Sequence, residues 1–147
     1  DHAKLAAQLK TPICLDESIT SITRATQAIE IGACGFINIK PGRVGGVTNA
    51  LEILSVARNN NIPCWIGGMF ESAIGASHCT ALATLPGMGY AADIFPSTRF
   101  VSRDITEHNI ELYAPGKVAA FEGVGIGCIP DSGQLKEVTV QSFEFVA

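Results

Sequence analysis

Apolar residues gather into four short runs along the chain: PICLD (12–16), GFINIK (35–40), PCWIGG (63–68) and YAADI (90–94). Each is bounded by Gly or Pro and has the length of a strand. Helix-length segments lie between them. In SITRATQAIEIGA, Ile22, Ala25, Thr26 and Ile29 fall at i, i+3, i+4 and i+7, and Gly32 is placed to close the helix. In TNALEILSVARNN the same spacing predicts Ala50, Leu51, Leu54 and Ala57 on one face, and the Ala-rich SAIGASHCTALATL ends before Pro86 and Gly87. The opening DHAKLAAQLK reads as the last turns of an amphipathic helix with Leu5 and Leu9 on one side; lacking an initiator Met, it is expected to be a cut end. The four runs start at 12, 35, 63 and 90, so they recur at nearly even intervals, each long enough for a strand, a crossover helix and two loops. The fold class predicted is α/β, with a parallel sheet covered by helices. Four βα units make half of an eight-stranded barrel or most of an open doubly wound sheet, and periodicity does not choose between them.

Composition removes several alternatives. With 47% hydrophobic and 16% charged residues, the 147-residue chain is less charged than the roughly 25% of ordinary domains, and it is long enough to bury a core. A net charge of -4 without any Lys/Arg cluster gives no footprint for nucleic acid. No apolar run reaches the roughly 18 residues of a membrane helix, and the start is no signal peptide, so a cytoplasmic protein without a membrane partner is expected. Cys14, Cys34, Cys64, Cys79 and Cys128 are odd in number, lack C-x-x-C spacing and lie mostly in apolar segments, as reduced core thiols do.

The polar residues at the strand ends separate the two sheet types. Asp16 closes the first run, Lys40 the second, Gly67 and Gly68 the third, and Asp93 lies near the end of the fourth. A barrel collects one chemical group from each of several strand ends. An open sheet would instead show one Gly-rich phosphate loop, and GRVGG (42–46) lacks both the G-x-G-x-x-G spacing and a Walker lysine. The barrel is favoured. Taken alone, Asp16 and Glu17 also suit the start of a helix, as capping residue and dipole partner of SITRA.

TPICLDESI, then INIKPGRVGG with Lys40 one βα interval after Asp16, then PCWIGGMFES, together resemble the enolase superfamily. The likeness is narrower still to its muconate-lactonising subgroup, in the o-succinylbenzoate synthase / N-acylamino acid racemase branch, and spans about residues 1–105. It implies the C-terminal half of a TIM-type (β/α) barrel, strands five to eight, over residues 1–105. Residues 106–147 would form a β-rich tail packing on the barrel or a capping domain.

The activity implied is abstraction of a proton α to a carboxylate, with an enediolate held on Mg²⁺. o-Succinylbenzoate synthesis, a dehydration in menaquinone biosynthesis, is the leading expectation, ahead of N-acylamino acid (N-succinylamino acid) racemisation and dipeptide epimerisation. By the same resemblance Asp16 is one of three carboxylate ligands of the metal and Lys40 is a catalytic lysine facing a second one. Glu17 and Asn38 support them, and Gly67, Gly68, Met69 and Phe70 contact a small carboxylate substrate. A tight turn or a barrel phosphate site remains open for the glycine pair. Glu71, Ser72, Asp93, Ser97 and Arg99 are supporting positions, and His2, His78 and His108 carry no assigned chemistry.

The first lysine and two further carboxylates of the family pattern would precede residue 1. The expected partner is therefore an N-terminal half, in a homo-oligomeric parent, and the isolated chain is expected to be inactive. A non-catalytic half-barrel that dimerises through its edge strands is the alternative from another class. In the tail, IELYAPGKVAAF predicts two strands around a Pro-Gly turn, GVGIGC a flexible crossing, and LKEVTVQSFEFV an alternating strand.

Overall fold

A computed structural model describes residues 1–145. Three of the four apolar runs form a parallel sheet in the order β1 (Cys14–Leu15), β2 (Phe36–Ile39), β3 (Cys64–Ile66). Cys14 pairs with Phe36, Leu15 with Ile37, Ile37 with Cys64, Asn38 with Trp65 and Ile39 with Ile66. Because side chains alternate along a strand, this register sorts the sheet into two faces. Leu15, Ile37, Ile39, Cys64 and Ile66 share one face and are almost wholly buried. Cys14, Phe36, Asn38 and Trp65 share the other, where Phe36, Trp65 and Tyr90 form an aromatic group with ring centroids 4.9–6.3 Å apart.

The fourth run is shorter than predicted. Within YAADI only Asp93 pairs, by a parallel bridge to Gly67: its N–H donates to the Ile66 carbonyl at 3.0 Å and its carbonyl accepts from Gly68 N–H at 2.8 Å. A second bridge joins Cys64 to Met88. Glycines 87 and 89 weaken the segment that leads into the run, and Ala91 and Ala92 within it are poor strand formers.

The crossover helices α2 (Ile22–Glu30) and α4 (Val47–Asn59) and the C-terminal part of α5 (Ala73–Ala83) supply the rest of this core. Ser21 caps α2 by accepting from Arg24 N–H at 3.2 Å, and Gly32 closes it at φ +64°. The helix is therefore capped without Asp16, which leaves that carboxylate available for other work. On α4 the buried face is Ala50, Ile53, Leu54 and Ala57. Leu51, expected on it, is 42% exposed, and Ile53, at i+3 from Ala50, takes the inward position instead. The opening helix α1 is only His2–Ala6, with Ala3 against the core and Leu5 and Leu9 about half exposed rather than buried.

The chain divides into two compact units. The first, Asp1–Met69 with Cys79–Ile94, holds the parallel sheet and the core just described. The second comprises Phe70–His78 and the chain from Phe95 onward. In it the predicted hairpin is present as antiparallel β4 (Leu112–Ala114) and β5 (Lys117–Val118), turning through Gly116 at φ +67°. The predicted strand LKEVTVQSFEFV is not: its first four residues end α6 (Ser132–Val138), and 139–145 form no strand. Asp131 decides this locally, since its carboxylate accepts from Gly133 and Gln134 N–H at 2.9 and 3.0 Å and starts a helix one turn earlier. Val146, the last residue of that segment, lies outside the described residues. Buried Asp104 accepts from Ala73 N–H at 2.8 Å at the start of α5 and from its neighbour Ile105 N–H. Among the described residues no helix is long and apolar enough to cross a membrane.

None of the five cysteines is in a disulfide. Burial, then the neighbouring Cys34 and Cys14, push the Cys64 thiol up to about 12; burial also raises Cys34 and, together with nearby Asp16, Cys14. Since an unfolded thiol ionises at 9.0, Cys64 contributes stability that is fully present below pH 9 and is lost as pH rises toward 12. Urea midpoints are expected to fall between pH 9 and 11, less steeply in Cys64→Ala. At pH 7.5 iodoacetamide should label Cys128 and Cys14 well before Cys34, Cys64 and Cys79, read by mass spectrometry; equal labelling would contradict the burial assigned here.

Candidate functional site

At the carboxyl ends of β1, β2 and β3 the chain continues with Asp16, Lys40 and Gly67, each two residues beyond a side chain on the sheet face that carries Asn38. The period of two therefore projects them to the same side. The contacts agree. Asp16 Oδ2 lies 3.3 Å from Lys40 Nζ and accepts from Asn38 Nδ2 at 3.1 Å, while Arg43 Nη1 donates to Asp16 Oδ1. The Asp16 side chain is 26% exposed and those of Lys40 and Arg43 are 13% and 15% exposed, so these ion pairs are shielded from water more than surface pairs are.

Lys40 is held extended at φ -111°, ψ 104°, as the residue before proline must be, and Pro41 opens the one-turn helix α3 (Pro41–Val44). Arg43, three residues after Lys40, thereby returns over the same carboxylate. Its Nη2 also reaches Met69 Sδ at 3.9 Å. Arg43 is a site residue that the reading of the strand ends leaves out. The signal is present in KPGR: a proline at the first helical position after a strand-end lysine forces the turn that brings i+3 back to i.

Gly67 and Gly68 are both buried. A Cβ on Gly67 would collide with the Asn38 amide and stand 2.8 Å from Lys40 Cε, so the absence of a side chain here is what gives those two groups their room. Met69 is half exposed beside Arg43. Phe70 belongs to the second unit, where it is 82% exposed and packs edge-on to Phe100 at 4.7 Å. Glu17 is exposed, and the polar partners of Asp16 are Asn38, Lys40 and Arg43 rather than this neighbouring acid.

Among the described residues no three His, Cys, Asp or Glu side chains are grouped to hold a metal ion. The oxygens available are nevertheless of the hard type a divalent cation takes: the Asp16 carboxylate and Asn38 Oδ1, which is buried and has no hydrogen-bond partner. They fit one portion of a ligand set.

A family model described as Enolase C-terminal domain-like matches residues 1–134. An N-succinylamino acid racemase of Thermus thermophilus is 45% identical over 127 residues, covering 86% of this chain and 34% of that protein. An o-succinylbenzoate synthase of Bacillus subtilis is 46% identical over 127 residues, with the same coverage of 86% and 34%. A crystal structure of an enolase superfamily member from Listeria innocua superposes with a TM-score of 0.85 at 42% identity, over 92% of this chain and 36% of that one. The chain thus spans about a third of the length of the curated relatives it matches. On the match over residues 1–134, carried by the parallel α/β unit and its polar strand ends, the chain belongs to the Enolase C-terminal domain-like family of the enolase superfamily.

Proposed function

We propose that the chain is the C-terminal half of a TIM-type barrel, strands five to eight, in an enzyme that removes a proton α to a carboxylate. Residues 1–105 belong to the barrel half and 106–147 to the tail. The leading reaction is the dehydration that makes o-succinylbenzoate; racemisation of N-succinylamino acids is second and dipeptide epimerisation third. Relatives named for each of these activities match the chain at 32–46% identity. The observation that carries the reading is the approach of Lys40 Nζ to Asp16 Oδ2, 3.3 Å, at neighbouring strand ends. One shielded amine and one hard carboxylate are the two kinds of group such a reaction needs: a base for the α-proton, and an oxygen ligand for Mg²⁺.

In this reading Asp16 is a metal ligand, with Asn38 beside it. When bound, a divalent cation supplies positive charge to the substrate carboxylate and to the enediolate it becomes. Lys40 works from one face of the substrate, moving the α-proton in racemisation and steadying negative charge in dehydration. Asn38 holds Asp16 in place through its Nδ2 bond. Gly67, Gly68 and Met69 are proposed to line the substrate.

The test is proton exchange in D₂O with Mg²⁺, followed by NMR, on the full-length enzyme and on these 147 residues alone. The full-length enzyme should exchange the α-proton of N-succinylamino acids or dehydrate the synthase substrate, and lose both with EDTA. The isolated chain, with one carboxylate and one lysine of the proposed set, should do neither. Turnover indifferent to EDTA, or none by the full-length protein, would sink the reading.

A further inference from the structure

We propose that Arg43 is the resident counter-ion of Asp16, so that its guanidinium holds the carboxylate and must leave it for a divalent cation to bind. The inference rests on the reading of Asp16 as a metal ligand.

Both carboxylate oxygens already carry a cation: Oδ1 accepts from Arg43 Nη1, and Oδ2 lies 3.3 Å from Lys40 Nζ while accepting from Asn38 Nδ2 at 3.1 Å. The carboxylate has spare lone pairs, so geometry alone would admit another ligand. Charge does not. A divalent ion entering beside two monovalent cations meets repulsion that solvent screens weakly, since the three side chains are only 13–26% exposed.

Of the two cations, Arg43 is the one built to move. Lys40 is fixed at a strand end, its Cε in the space left by Gly67. Arg43 stands on a helix of four residues, and its second nitrogen rests on a thioether, a weak acceptor, at 3.9 Å. Met69 is half exposed, so the side chain already points a route from Asp16 to solvent. A charge that neutralises Asp16 before the metal arrives also removes the cost of an uncompensated carboxylate there.

Calorimetric titration of Mg²⁺ and Mn²⁺ into the full-length protein tests this, together with melting temperatures in EDTA and in saturating Mn²⁺. Arg43→Met is expected to bind either ion about three- to tenfold more tightly. Its Tm should be lower than wild type in EDTA and should rise more on adding metal. Arg43→Lys keeps the charge and should stay within about twofold of wild type. If Arg43 instead steadies Asp16 in its liganding pose, Arg43→Met will bind metal more weakly; that result, or unchanged affinity, overturns the proposal. Should Arg43→Met fail to fold, Arg43→Gln carries the same comparison. Asp16→Asn separates this inference from the reading beneath it. Lost metal binding upholds Asp16 as a ligand whatever the Arg43 variants do, whereas unchanged binding removes both.

Discussion

Lys40→Ala in the full-length enzyme is expected to abolish racemisation, with α-proton exchange from one face falling by about 10²- to 10⁴-fold, the usual contribution of a positioned general base. Lys40 supplies the amine that pairs with Asp16, and Asn38 and Gly67 fix where its chain runs. Alanine removes the group without enlarging the core, since the side chain lies on the sheet face of Asn38 rather than among Ile37 and Ile39. Exchange from the opposite face, assigned to a lysine outside this chain, should survive, so one substrate enantiomer keeps exchanging in D₂O while the other stops. Lys40→Arg sharpens the comparison. Arginine retains charge but does not give up its proton, so racemisation should stay lost while dehydration, which asks only for positive charge from this side, should return in part. Equal exchange of both enantiomers in Lys40→Ala would remove Lys40 from the reaction.

The placement of this lysine was legible because strand ends are marked twice in the sequence, by the even interval between apolar runs and by the polar residue that breaks each of them. Asp16, Lys40 and Gly67 fell on one side because the side-chain period of a strand leaves no other choice. What was not legible depends on competition between neighbours. Leu51 and Ile53 both suit a buried position on α4, and only the packed helix shows that Ile53 takes it. LKEVTVQSFEFV alternates well enough for a strand, but the capping bonds of Asp131 start a helix before that alternation begins. YAADI has strand composition, yet only Asp93 finds a partner. Phe70 illustrates another limit: it follows Met69 directly, but the chain passes into the second unit between them. Arg43 was missed because its role comes from the turn that Pro41 imposes, a signal carried by KPGR as a whole and not by a strand end.

Gly67→Ala is expected to cost far more in turnover than in stability. The backbone at Gly67 does not occupy the left-handed region, so alanine is tolerated conformationally and the whole effect is steric. The new Cβ would collide with the Asn38 amide and press on Lys40 Cε from 2.8 Å. Lys40 Cε, seated in the same space, is forced out of its place beside Asp16. The amide is 5% exposed and bonded to Asp16, so it shifts only by straining or breaking that bond. Overpacking of this kind costs about 1–3 kcal/mol of stability, and a displacement near 1 Å at reacting groups costs about 100-fold in rate. Turnover should therefore fall far more than the melting temperature does. Gly42→Ala is the control: a Cβ there meets nothing within 4 Å, and on helix α3 it should leave turnover unchanged and raise stability by up to about 1 kcal/mol. Full activity in Gly67→Ala would mean that Lys40 and Asn38 do their work from positions other than those seen beside Asp16.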